Sequence, residues 1–326
     1  MKIVQFILFT MLLSFIVVTC KKENDLVISD PVTFVLSPVD TQFIRSATPL
    51  GNICPPGHTF PTDHIYFYCE GQDLIPVYSI AGGTIKNIRY NEGSDDYNIE
   101  IEYSRSCSYY FDHIANLPAL ISTGYELDAG ILLGYCETAQ GAFDLAVIDN
   151  DVENNFIEPG RYLDKTIHCA NPYLYFIDSV RNILYSKNQR TKEPRGGKID
   201  YDLDGTLSGN WFLEGTEIDI LNATYLYQDY QLTFAFDMWD PDVILIAAGG
   251  TLSLTPFYSH VADNTPDPKE VSPTTGLVKY ELTSWVSKGT LLVQMVEDRK
   301  IKVEVFPDLH RQEVDDFTSG ASYYIR

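Results

Sequence analysis

Beyond residue 50 the apolar positions come in short runs, many alternating with polar ones, and turn residues separate the runs. Alternation at a period of two marks a strand with one buried face. It predicts strands over 75–80, 83–90, 97–103, 107–113 and 142–147. The punctuation between them is Ala81-Gly82-Gly83, Asn91-Glu92-Gly93-Ser94-Asp95-Asp96 and Leu127-Asp128-Ala129-Gly130. The period changes over 171–187. There Leu174, Ile177, Val180, Ile183 and Leu184 recur at near-helical spacing after Asn171-Pro172, which predicts the one substantial helix beyond the N-terminal segment. Thr191 to Gly197 is polar and carries Pro and Gly, so it reads as a linker. Strands resume over 231–236, 243–248, 277–282, 290–296, 300–306 and 321–325, with Glu297-Asp298-Arg299 turning one alternating run into the next. Many short antiparallel strands predict a barrel or sandwich for this half. No repeat at a fixed period is present.

The N-terminal pattern is of another kind. A single basic residue, Lys2, precedes an apolar run over 3–18, and Cys20 follows. At sixteen residues, broken by Gln5, Thr10 and Ser14, the run is shorter than the ~20 that a spanning helix needs. A charged head and an apolar centre are the parts of a secretion signal. The ending Val17-Val18-Thr19-Cys20 resembles the lipobox of bacterial lipoproteins, although Thr19 stands where Gly, Ala or Ser is usual. That resemblance implies cleavage before Cys20, lipidation of its thiol, and an anchored, extracytoplasmic chain. Lys21 and Lys22 then sit at the membrane surface, and 20–48 is expected to be a tether.

Charge narrows the partners. Lys and Arg number 23 against 45 Asp and Glu, a formal charge of −22 that becomes −23 once Lys2 leaves with the signal. That sign excludes nucleic-acid binding by phosphate neutralisation and opposes adsorption to an anionic membrane through charge alone. The 22 Tyr and 17 Phe against 4 Met favour β architecture. Five cysteines remain after Cys20: Cys54, Cys69, Cys107, Cys136 and Cys169. None forms a C-x-x-C pair, so a zinc ribbon is not indicated; one or two structural disulfides are the expectation in an oxidising compartment, with connectivity open.

One ordered set of segments carries a family resemblance. His64 stands in Pro61-Thr62-Asp63-His64-Ile65-Tyr66-Phe67-Tyr68, Pro76 to Ile85 leads through paired glycines, Tyr109 to Ile114 contains His113, Gly124 to Gly134 carries a second pair of glycine turns, and Ala142-Phe143-Asp144 closes the set. In this order the segments resemble lysostaphin-type zinc peptidases, which cut peptidoglycan cross-bridges. The resemblance implies a duplicated-hybrid-motif-like β domain, with His64 and Asp144 at metal-ligand positions and His113 at a catalytic position. Two places depart from the family. Tyr68 puts a phenol where the family has a ligand Asp, and Ala142 replaces a catalytic His with a methyl group. A catalytic zinc needs about three protein ligands and an open water position, so the resemblance implies a scaffold without ordinary zinc hydrolysis. His58 and Asp63 are candidate replacement ligands.

Other motifs add less. Asp200-Tyr201-Asp202-Leu203-Asp204-Gly205 opens like a calcium loop, but Trp211 occupies the twelfth position, where a bidentate Glu is needed, so it reads as a turn entering a strand. Gly209-Asn210-Trp211 and the ending Tyr323-Tyr324-Ile325-Arg326 resemble the base of small ligand-carrying barrels. No G-x-S-x-G elbow or phosphate loop is present.

The expected protein is therefore mainly β: signal peptide 1–19, tether 20–48, peptidase-like β domain 49–165, helical bridge and linker 166–197, and a C-terminal antiparallel β-barrel or sandwich 198–326. Its expected role is binding of peptidoglycan or an envelope protein partner, anchored to the membrane by lipid, with no cofactor. Two alternatives accompany it: an active zinc peptidase with unusual ligands, and a small-ligand carrier using the C-terminal barrel.

Overall fold

The computed structural model describes residues 32–137, 141–216, 228–252, 255–283 and 288–326. The expected signal peptide, Cys20 and the expected tether up to residue 31 lie outside the described residues. The first half contributes β1 (Ile44–Thr48), β2 (Ile65–Cys69), β3 (Leu74–Tyr78), β4 (Gly83–Asn91), β5 (Asp96–Glu102), β6 (Cys107–Ile114), β7 (Glu126–Leu127), β8 (Leu132–Glu137), β9 (Ala142–Asp149) and β10 (Cys169–Ala170). The main sheet runs β1-β2-β9-β6-β5-β4-β7, with β10 also paired to β9, and β3 and β8 form a separate two-stranded ribbon. All these pairings are antiparallel.

Alternation along these strands creates two unlike faces. Ile65, Phe67, Cys69, Tyr109, Phe111, Phe143, Leu145 and Val147 bury one face against Ile75, Val77 and Leu133 of the ribbon, with Phe34, Tyr173 and Phe176 in the same core. The intervening positions Tyr66, Tyr68, Tyr110, Asp112, Ala142 and Asp144 fall on the opposite face, which is polar. Strand ends lie within two residues of the pattern-based expectation for β3, β4, β5, β6 and β9. Residues 44–48, expected within the tether, are instead β1: they pair with the free edge of β2 and bury Ile44, Ala47 and Thr48.

The helix expected over 171–187 is divided. Pro172–Tyr175 forms a 3-10 turn, Phe176 and Ile177 are extended, and the regular helices around this stretch are the one-turn α1 (Asp164–Ile167) and then α2 (Asp178–Lys187). That break puts the apolar row out of phase, so Leu184 is buried while Leu174, Ile177 and Ile183 are exposed. Asp178 at the start and Lys187 at the end of α2 complement its dipole.

The second half is an eight-stranded meander: β11 (Gly209–Leu213), β12 (Gln231–Phe236), β13 (Ile244–Ala248), β14 (Phe257–His260), β15 (Val278–Thr283), β16 (Lys288–Glu297), β17 (Lys300–Pro307) and β18 (Ser322–Ile325). Pairing of β11 with β18 joins its two ends, and a bridge between Val261 and Leu282 spans the remaining gap between β14 and β15. The result is a nearly closed antiparallel barrel, which settles barrel against sandwich. Phe234, Tyr280, Leu291, Val293, Met295 and Ile301 belong to its core. The turn opened by Asp200 is tied to the chain: Asp202 accepts backbone N–H groups from Asn210 at 2.8 Å and Ile157 at 2.9 Å. Gly209 is obligatory beside it, since φ is +114° and a Cβ there would stand 2.2 Å from the Asp202 carboxylate. At the barrel base the Arg326 guanidinium lies 4.0 Å over the Trp211 ring.

Candidate functional site

A cleft of about 720 Å³ opens over the polar face of the first sheet. His58, His64, Tyr110, His113 and Asp144 line one wall; Phe60, Phe156 and Tyr162 line another, and Asn210 and Gln231 of the barrel complete it. Both halves of the chain therefore form it.

The three residues singled out from sequence meet at its floor. His64, just ahead of β2, and Asp144, in β9, approach to 3.4 Å between Nε2 and Oδ2, and His113 Nε2 stands 3.7 Å from the same Oδ2. Each imidazole is fixed from behind. His64 Nδ1 lies 3.0 Å from Asp63 Oδ1, and His113 Nδ1 lies 2.7 Å from Asp96 Oδ2. Asp63 is thus turned away from the centre of the cluster, toward the far nitrogen of His64, where it orients the ring. It also accepts a bond from Thr166 Oγ1 at 2.6 Å and lies 3.7 Å from Lys165 Nζ. Tyr66 OH stands 2.9 Å from His64 Nε2.

A bulge explains how His113 reaches this face. Ile99 pairs with Phe111 and Tyr97 with Ile114, so Asp112 and His113 together oppose Asn98. Strict alternation would send His113 into the core with Tyr109 and Phe111. The extra residue lets Asp112 and His113 both take the polar side and returns Ile114 to the core, and His113 adopts φ +64° to do so.

The charges are interdependent. Burial pushes the Asp144 carboxyl up to about 6, against the pull of His64 and His113. Burial likewise opposes protonation of His64, but the Asp144 charge and the Asp63 hydrogen bond outweigh it and raise its pKa. His113 is raised in the same way, by Asp144 and by its bond to Asp96. Burial lifts Asp63, yet Lys165 and the His64 bond hold it well below the usual carboxylate range. His58 goes the other way, down to about 4, through burial and the neighbouring His64, whose ring centroid is 5.5 Å away.

Residues outside the sequence reading complete the site: Asp96, Lys165, Thr166 and the aromatic wall. Asp96 ends an acidic turn whose composition reads as solvent-exposed, yet its residue is fully buried. Only the fold brings Phe60, or Phe156 and Tyr162 with centroids 4.0 Å apart, beside the histidines.

The donors can be tested against a family-type zinc. Tyr68, at the place of the second ligand, stacks on Tyr66 with centroids 6.3 Å apart and lies beneath the Arg45 guanidinium at 5.8 Å. Its register partner is Ala142, at the place of the missing catalytic His. The family's three-ligand set is therefore not reproduced. What persists is the pair His64 and Asp144, in which Asp144 Oδ1 is a buried acceptor with no hydrogen-bond partner. Among the described residues, the three-residue group whose donor atoms all lie within 4.8 Å is Asp96, Asp112 and His113, a set that overlaps this cluster only at His113.

No family model and no curated protein matches the chain. Among solved structures, a zinc-containing peptidase from Vibrio cholerae is 17% identical over 36% of this chain and 37% of that one, with a TM-score of 0.31. The catalytic domain of the antimicrobial peptidase lysostaphin from Staphylococcus simulans is 13% identical over 40% of this chain and 87% of that domain, with a TM-score of 0.28. A chain of the SpoIIQ-SpoIIIAH pore-forming complex is 10% identical over 45% of this chain and 92% of that one, with a TM-score of 0.32. This chain spans no more than 40% of the length of the first similar structures, the Vibrio peptidase and Helicobacter pylori Csd3. The likeness is distant, and it is one of fold.

Proposed function

We propose that this chain is a lipoprotein anchored through Cys20 in an extracytoplasmic bacterial compartment, and that its cleft binds peptidoglycan or an envelope protein without hydrolysing it. The observation that carries this reading is the pairing of Tyr68 with Ala142, which removes one ligand and one proton carrier from the same spot. The cleft retains what recognition needs. Phe60 and Tyr162 offer flat apolar surfaces for sugar rings or apolar side chains, and Lys165 and Asp112 offer charge to a peptide.

A second reading rests on the unpartnered Asp144 Oδ1. Buried acceptors are rarely left unmade, and an imidazole held through Nδ1 by a carboxylate is how metal-binding histidines are oriented. In that reading His64, Asp144 and a third group hold zinc in an active peptidase.

Metal content by mass spectrometry on the purified chain and on His64→Ala separates the two. The binding reading expects well below one zinc per chain in both, with peptidoglycan retained in a pull-down and no soluble fragments released. About one zinc per chain, lost in His64→Ala and accompanied by fragment release, would overturn it.

A further inference from the structure

The five cysteines among the described residues are free thiols, and their placement is uneven. Cys54 is exposed. Cys107 and Cys169 flank β9 on opposite sides, facing Asp149 and Ile148 in register. Two strand spacings of roughly 4.8 Å put them beyond the ~7 Å that a disulfide can span between Cα atoms. Each donates to a carbonyl instead, Cys169 to Asp63 at 3.1 Å and Cys107 to Ser108 at 3.9 Å.

Cys69 and Cys136 are different. Cys69 closes β2, and its N–H donates to Gly141 O at 3.1 Å, while Gly141 N–H donates to Glu137 O at 3.1 Å. Two backbone bonds thus draw the end of β2 to the residue after Cys136. Both side chains enter one hydrophobic core, at 4% and 0% exposure. There Cys69 Sγ donates to Phe67 O at 3.8 Å, and the Cys69 and Cys136 thiols lie near enough to shift each other's pKa, Cys69 upward and Cys136 downward.

We infer that Cys69 and Cys136 form a disulfide when the chain folds under oxidising conditions, fastening the β3–β8 ribbon to the main sheet. The chemistry is thiol–disulfide exchange with a small disulfide such as oxidised glutathione. One cysteine thiolate attacks a sulfur of the oxidant, whose S–S bond breaks to release a glutathione thiolate and leave a mixed disulfide. The second cysteine, as thiolate, attacks the protein sulfur of that adduct and expels the other glutathione. Two electrons pass to glutathione, and the two cysteine protons end on its thiols. Burial sets the timing. The oxidant reaches the pair only before the ribbon docks, and afterwards the bridge is shielded from reductants. The residues joined are 67 positions apart, and the segment between them carries β4, β5 and β6 with Asp96, Asp112 and His113. The bridge therefore closes a long loop around one wall of the cleft.

The test is peptide mapping of the full chain refolded in a glutathione redox buffer, alkylated under denaturing conditions and digested without reduction. The expected result is a linked Cys69–Cys136 peptide pair, with Cys54, Cys107 and Cys169 alkylated. The oxidised protein should also melt roughly 5 °C above the same protein refolded in dithiothreitol. Alkylation or glutathionylation of both Cys69 and Cys136 after oxidative refolding, or linkage of either to another cysteine, would overturn the inference. Cys136→Ala is expected to leave Cys69 alkylated and to abolish the difference in melting; should that variant not fold, the wild-type map decides alone.

Discussion

Arg326 buries a guanidinium at the base of the barrel, where both terminal nitrogens are bonded and Nε is left without a hydrogen-bond partner among the described residues. Nη1 donates to Ser208 O at 2.6 Å, Nη2 donates to Leu203 O at 3.0 Å and to Thr206 O, and the Trp211 ring covers the group. Burial lowers its pKa to about 10, and Asp202, 4.0 Å away, opposes that shift. A buried charge held by several partners contributes little net, whereas breaking such a set is costly. Arg326→Met is therefore expected to destabilise by about 3 kcal/mol, and Asp202→Asn, which keeps one acceptor for its backbone donors, by about 1–2 kcal/mol. Urea titration of both variants checks the order. At His113 the constraint is the backbone. Its φ of +64° is tolerated by Asn but not by a β-branched residue. His113→Val should lose about 1–2 kcal/mol more than His113→Asn; equal losses would show that the left-handed turn is not what holds the bulge.

At the scale of elements, alternation made β4, β5, β6, β9, β16 and β17 readable, because one face of each meets a hydrophobic core and the other does not. Other elements left no such trace. In β1 only partners decide: five residues, IRSAT, become a strand because β2 has a free edge. Helical spacing across Leu174 to Leu184 hid the break at Phe176 and Ile177, since a pattern of apolar positions does not record backbone phase. Within the site, His64, His113 and Asp144 were legible through segment order, while Asp96 was not, because its burial depends on Asn91 and His113 folding over it. The tip joining β12 to β13 shows a device of the same local kind. His260 Nε2 meets Asp237 Oδ2 at 3.0 Å, which raises the His260 pKa and lowers that of Asp237. The histidine contribution is complete below its unfolded pKa of about 6.5 and fades as pH rises through the raised folded value. The aspartate contribution is complete above about 4 and fades as pH falls through the depressed one. The pair thus supports the fold most between about pH 4 and 6.5, by less than about 1 kcal/mol since His260 is half-exposed. Comparing wild type with His260→Gln by thermal melting should show the largest difference in that window and a vanishing one by pH 9.

For the whole molecule, the cleft needs both sheets held in one arrangement although their cores are separate. Among the contacts that do this, beside Thr59 to Gln228 and Phe60 against Phe212, two polar ties stand at opposite places along the chain. Asn155 and Ile157, which follow the first sheet, donate backbone N–H groups to Asp200 at 3.1 Å and Asp202 at 2.9 Å, just before the barrel begins. Arg190, after α2 and almost fully buried, donates through Nε to Lys192 O at 3.2 Å and through Nη1 to Met238 O at 3.0 Å in the barrel. Cores coupled by buried polar ties should unfold together, so calorimetry of the wild type is expected to give one transition. Arg190→Met fills the space but leaves Met238 O without its charged donor, at a cost of about 2–3 kcal/mol. Because that loss falls on the connection and not on either core, the predicted outcome is two resolved transitions. It should also weaken ligand retention, since the histidine floor and the aromatic wall would no longer keep a fixed spacing. A single transition shifted to lower temperature, with ligand retention intact, would instead mean that the other contacts between the halves, the Asp200 and Asp202 tie among them, are enough to hold the cleft.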